Sequence, residues 1–189
     1  MTPPHVQIII GSIREWRVGE PVARWFAELA AHREDLTSEL VDLREWDLPF
    51  LITRKPPSQG YETDHQRRWA AKVAEADGYV LVTAEYNHGY PPPLKNALDH
   101  VYGEWNRKPV SYVSYGGPGG GTRAVEQLRG VAVELQQAPL RSHVIIHRPW
   151  PHLKDGVFDG SQHERQAGSL LDELVWWWSE VLRAGRAKS

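Results

Sequence analysis

Short runs rich in β-branched residues alternate along this chain with amphipathic helical stripes, and that alternation leaves few folds open. The runs are Val6–Ile10, Ser38–Asp42, Tyr79–Thr83, Val110–Ser114 and Val144–His147, each closed by turn residues. Several are almost continuously apolar, as expected of strands buried on both faces. Between them, Val22, Trp25, Phe26, Leu29 and Ala30 recur at helical spacing and form one apolar stripe. Trp69, Val73 and Ala76 form a weaker one in a helix expected over about 63–76. Leu94, Ala97, Leu98 and Val101 make a third, and Val125, Leu128, Val131, Ala132 and Leu135 a fourth. Leu171, Leu174, Val175, Trp178 and Leu182 make the last. Strand and helix in strict alternation over 189 residues predict right-handed βαβ units and a parallel sheet in a single α/β domain, 1–189.

Composition removes several function classes. Lys and Arg total 22 against 24 Asp and Glu, a net charge of -2, so no basic field awaits nucleic acid or an anionic membrane. The absence of cysteine excludes disulfides, thiolate nucleophiles, iron–sulfur clusters and cysteine zinc sites. Any redox chemistry must therefore be carried by a bound cofactor. No basic n-region opens the chain and no run approaches the ~18 apolar residues of a membrane span, so a soluble, cytoplasmic protein is expected.

Open α/β sheets bind ligands beyond the carboxyl ends of their strands, which directs attention to three loops. The first, Gly11 to Gly19, places Ser12, Arg14 and Arg17 before a helix with Pro21 in its first turn. A hydroxyl, two guanidiniums and the unpaired N–H groups of a helix start suit a phosphate; the bland alternative is a βα turn with two solvated arginines. The second, Ala84 to Pro93, is rich in aromatics and amides and stiffened by prolines; it suits the wall of a flat ring, or a proline-rich turn whose tyrosines cap the core. The third, Ser114 to Arg123, is crowded with glycine, which lets backbone approach a ligand closely. Its Walker-like spacing has Thr122 where lysine is required, and its loose dinucleotide fingerprint lacks the acidic residue after the next strand.

Together these loops resemble the NADPH-dependent FMN reductase family. The pattern Gly-Ser-x-Arg-x-x-Arg-Val-Gly at 11–19 is similar to that family's flavin-phosphate loop, and Glu-Tyr-Asn-His-Gly-Tyr-Pro-Pro-x-Leu-Lys-Asn-Ala-Leu-Asp at 85–99 to its most specific signature. Ser-Tyr-Gly-Gly at 114–117, followed by Gly-Gly-x-Arg-Ala-x-Glu-Gln-Leu-Arg at 120–129, resembles the third. The resemblance implies a flavodoxin-like three-layer fold with a five-stranded parallel sheet in the order 2-1-3-4-5. It implies FMN as cofactor, with Ser12, Arg14, Arg17, Val18 and Gly19 on its phosphate. Ala84, Glu85, Tyr86, Asn87 and His88 would run along the ring edge, and Ser114, Tyr115, Gly116 and Gly117 would border its other end. NADPH or NADH would supply hydride, and a quinone, flavin, dye or similar small molecule would take the electrons. A homodimer or homotetramer using the helix Leu94–Tyr102 is implied, with no nucleic acid or membrane partner. The alternative on the same fold is a non-catalytic electron carrier or flavin-binding sensor; the arginine-bearing loop and small net charge favour the enzyme. Two residues depart from the family's pattern: Ala84 stands where proline is usual, and Trp16 where small residues are common.

The remaining candidates read as structural. His143 and His147 would lie on one strand face about 13 Å apart, too far to share an ion, so no metal is expected. Ser12 lacks the elbow of a hydrolase nucleophile. Among Trp176 to Trp178, helical spacing turns Trp178 inward and Trp176 outward, toward a partner surface or the base of the sheet.

Overall fold

Strand β1 (His5–Ile10) runs parallel to β2 (Thr37–Asp42) on one side and β3 (Gly78–Ala84) on the other, and β4 (Pro109–Gly116) follows β3. This arrangement is that of a computed structural model, which describes residues 2–182. The sheet order β2-β1-β3-β4 with the later strands beyond it is the doubly wound order expected. Alternation divides the core into two. Val6, Ile8, Ile10, Val80, Val82 and Val113 face α1 (Gly19–Ala31) and α6 (Glu164–Trp176). Ile9, Tyr79, Leu81, Val110 and Tyr112 face α3 (Asp64–Ala74), α4 (Pro92–Asp99) and α5 (Thr122–Glu134). Each fully buried aliphatic side chain contributes about 1.5–3 kcal/mol, which is why all seven residues of β3 are apolar or paired.

The fifth strand position differs from expectation in being shared by two pieces. β5 (Ala138–Pro139) pairs with Pro109 and Val110, and β6 (Val144–His147) with Val113 to Gly116 of the same strand. Leu140 to His143 bulge between them, anchored where the Ser111 hydroxyl donates to the Ser142 carbonyl at 2.5 Å.

Helix ends follow side-chain chemistry. Thr63 caps α3 through a reciprocal pair with Gln66, so the helix starts one residue later than periodicity suggested. α4 stops at Asp99 instead of reaching Tyr102, because the indole N–H groups of Trp69 and Trp105 take the Ala97 and Leu98 carbonyls at 2.8 and 3.1 Å. Those carbonyls would otherwise accept the next helical turn. The proline-rich stretch after β2 holds a short α2 (Leu43–Trp46), capped by Asp42, and Asn96 ties its loop down through the Pro49 carbonyl at 2.9 Å.

An unexpected hairpin follows β6. β7 (Leu153–Lys154) and β8 (Val157–Phe158) are joined by Asp155 and Gly156, both at positive φ, the requirement of a type I′ turn. Phe158 inserts edge-on against Trp25 of α1, ring centroids 5.6 Å apart. At the end of α6, Trp178 is buried, Trp177 flanks the core and Trp176 is 53% exposed, as the spacing predicts; the Leu182 side chain lies outside the described residues.

Candidate functional site

The loops after β1, β3 and β4 meet over the carboxyl edge of the sheet. Gly11 leaves β1 with its N–H on the Val82 carbonyl at 2.9 Å, and a Cβ there would press on Leu94 and that carbonyl. Ser12 is buried, its hydroxyl 2.6 Å from that of Tyr86. The chain turns at Trp16, held at φ +54°, and enters α1 through Val18, which makes no side-chain cap. The first-turn N–H groups of α1 thus remain directed at the loop, with the helix dipole behind them.

Arg17 is the central side chain. Only 4% exposed, it forms ion pairs with Asp42 and with Glu20 and donates to the Ser12 carbonyl at 3.2 Å. Its Nε is buried and has no hydrogen-bond partner among the described residues. A buried donor left unmade costs about 1–3 kcal/mol, and the residue that carries this one is among those that line the neighbouring cleft.

Tyr115 lies beneath the same loop. Burial and the neighbouring Tyr86 push its phenol above the ordinary value, against the opposing pull of hydrogen bonds with Ser12 and the Gly19 backbone. The hydroxyl therefore stays protonated at neutral pH. Gly19 makes room for it: a Cβ there would stand 2.6 Å from the Tyr115 oxygen.

The second loop is braced from α5. The Glu85 carboxylate, nearly buried, accepts from Arg123 Nε at 2.8 Å, and the same guanidinium lies 2.7 Å from His88 Nε2. Tyr86 and Gly89 exchange backbone hydrogen bonds of 2.8 and 3.0 Å, forcing Asn87 and His88 to positive φ at the tip. Arg14 lies over the Tyr86 ring at 5.8 Å, a cation–π distance.

These residues border a cleft of about 230 Å³. Ser12, Arg14, Arg17 and Val18 form one end, Ala84, Glu85 and Tyr86 a wall, and Tyr115, Gly116 and Gly117 the other side. Gly117 has nothing within 4 Å of where a Cβ would stand, so its backbone is open. Four expected residues do not line it. Gly19 supports Tyr115 from below, and Asn87 and His88 project from the turn. Ser114 is buried on the opposite face of β4, where its hydroxyl donates to the Gly120 carbonyl at 2.8 Å and pins the glycine loop. Three lining residues were not among the expected cofactor contacts: Glu15, Trp16, and Trp150, which arrives after β6 on a Pro-Trp-Pro segment, itself a signal that the chain turns at the carboxyl edge. Among the described residues no group of three potential ligands could hold a metal ion. An orphaned guanidinium nitrogen, an uncapped helix start and an open glycine backbone around one slot fit a phosphate-bearing planar cofactor.

Fold and site together define a flavodoxin-like nucleotide-binding protein. The model of the NADPH-dependent FMN reductase family matches residues 4–151, and the chain belongs to that family. An NAD(P)H-dependent FMN reductase of Schizosaccharomyces pombe is 40% identical over 159 residues, covering 82% of this chain and 79% of that protein. A 2-hydroxy-1,4-benzoquinone reductase of a Burkholderia species is 32% identical over 158 residues, 79% of this chain and 78% of the other. Among solved structures, a flavoenzyme NAD(P)H:acceptor oxidoreductase of Paracoccus denitrificans aligns with a TM-score of 0.72 at 22% identity, covering 94% of this chain and 98% of that one, which shows the shared fold. The protein is thus an NAD(P)H-dependent oxidoreductase with FMN as its cofactor. No helix among the described residues is long and apolar enough to cross a membrane.

Proposed function

We propose that this chain moves reducing equivalents from NADPH or NADH through FMN held in the cleft to a small diffusible acceptor, a quinone or free flavin. The observation that carries this reading is Arg17 Nε, buried and without a partner among the described residues, beside the uncapped start of α1. Arg17, Ser12, Val18 and the first N–H groups of α1 would hold the phosphate, with Arg14 closing over it and Gly19 admitting the Tyr115 hydroxyl. Asp42 and Glu20 fix the guanidinium before any ligand arrives, so little side-chain ordering is left to binding. FMN, when bound, supplies two-electron acceptance from a reduced nicotinamide and onward release to an acceptor. Ala84, Glu85 and Tyr86 would edge the ring, with Asn87, His88 and Arg123 stiffening the loop behind them. The open backbone at Gly117, in the glycine loop that Ser114 pins, would offset negative charge on the reduced ring. A homodimer or homotetramer and a cytoplasmic location belong to the same proposal.

The test is anaerobic mixing of the FMN-loaded protein with NADPH, then NADH, following the flavin's visible absorbance. Rapid bleaching is expected. Bound flavin that stays oxidised would favour the carrier or sensor, and failure to bind FMN would overturn the cofactor assignment for these loops.

A further inference from the structure

Beside the flavin cleft lies a larger one, about 720 Å³ against about 230 Å³. It is walled by the first turns of α1, by Arg44 of α2 and by the β7–β8 hairpin at Leu153 and Gly156. Residues 15–18 border both clefts, so one extended molecule lying across that loop would have an end in each.

Two side chains of this second cleft, Trp16 and Arg44, stand apart from the packing and pairing among the described residues. Trp16 sits at the turn of the loop with its side chain 99% exposed, although its backbone is held in the left-handed region that bulky residues avoid. An indole in that state buries no area to offset the strain, and its free face is a stacking platform for a planar ring. The cations divide in the same way. Arg17 is bound to Asp42 and Glu20, and Arg24 to Glu20 at 2.9 Å. Arg44 is exposed, and through its side chain it enters no hydrogen bond, ion pair or ring contact among the described residues. With Arg17 and Arg24 taken up by Glu20 and with Glu15 also in the lining, Arg44 is left as the place for an anion.

A bare ring face and an uncompensated guanidinium in one cleft are the complement of a purine nucleoside carrying a phosphate monoester. Building on the proposed function, we infer that this cleft takes the adenosine end of the reduced dinucleotide, with the purine on Trp16 and the 2′-phosphate on Arg44. The two residues then act as selectors of NADPH over NADH, whose ribose offers Arg44 no charge.

Calorimetric titration of the FMN-loaded protein with adenosine 2′,5′-bisphosphate and with adenosine 5′-monophosphate tests this. The bisphosphate is expected to bind about tenfold more tightly or better, the scale of one hydrogen bond between charged groups. Arg44→Ala should bring the two affinities together, whereas Trp16→Ala should weaken both in parallel. Both side chains are exposed, and retained flavin verifies that each variant is folded. Equal affinities in the wild type, or an unaltered ratio in Arg44→Ala, would overturn the inference. So would quenching of Trp16 by free FMN in a protein that ignores the bisphosphate, which would make the occupant a second flavin. Flavin bleached equally well by both dinucleotides defeats this inference alone; flavin bleached by neither defeats the function on which it rests.

Discussion

Arg17 has two carboxylate partners and one empty donor, and its energetics follow from that asymmetry. Arg17→Ala should raise the dissociation constant for FMN at least about tenfold, the cost of losing a charge-assisted hydrogen bond. Arg17→Lys, which keeps the charge beside Asp42 but lacks the planar fork, should fall between. Fluorescence titration of free FMN measures both, and an unchanged constant in the alanine variant would remove this arginine from the phosphate. The sequence places Arg17 in the right loop and Glu20 three residues on, yet its other partner, Asp42, comes from β2, and no local pattern announces it. Ser114 illustrates the opposite case. Its motif suggested the ring, but strand parity was already decisive: Ser114 shares the side of β4 with Tyr112, while Tyr115 turns toward α1 and the cleft.

At the scale of elements, the hairpin β7–β8 has a signal in its turn residues and none in the alternation of strands and helices. Asp155-Gly156 between apolar residues is a strong short-range turn signal, and the contact of Phe158 with Trp25 gives the hairpin a seat. The seat has no slack, since a Cβ on Gly160 would fall inside the Trp25 indole. Gly160→Ala should therefore destabilise the protein by about 1–3 kcal/mol through overpacking. Urea denaturation reads the loss, and a midpoint equal to that of the wild type would show that Trp25 can move aside. α4 ended early for a reason absent from its own periodicity: two tryptophans outside the helix, Trp69 28 residues before Ala97 and Trp105 seven after Leu98, claim two of its last carbonyls. Such competition from side chains outside the helix is what a stripe of apolar residues cannot display.

For the whole molecule, the titrating groups make acid the destabilising direction. Burial holds the His143 and His163 imidazoles below their ordinary value of 6.5, so the unfolded chain binds more protons than the folded one. Their contribution is complete above about pH 6.5 and is lost as the pH falls from there through the lower folded values. A second loss follows below about pH 4.5, because Glu39, despite opposing burial, is held low by Lys72, His5 and Gln7. Urea midpoints should fall between about pH 7 and pH 5.5, and replacing both histidines with glutamine should flatten that first step. A flat profile in the wild type would show that neither imidazole stays neutral in the fold. The parallel sheet and its order could be anticipated because alternation of strand and helix is a property of the entire chain; the division of the outermost strand depends on a hydroxyl reaching one carbonyl.

That division affects how the protein behaves among its own copies. A long, straight outer strand offers an unbroken row of N–H and C=O groups on which another chain can extend the sheet, the first step toward aggregation. Here the row is interrupted after Pro139, a residue with no N–H to offer, and resumes only at Val144. An arriving strand meets two short stretches out of line with each other, and this edge of the sheet is blunted by its break.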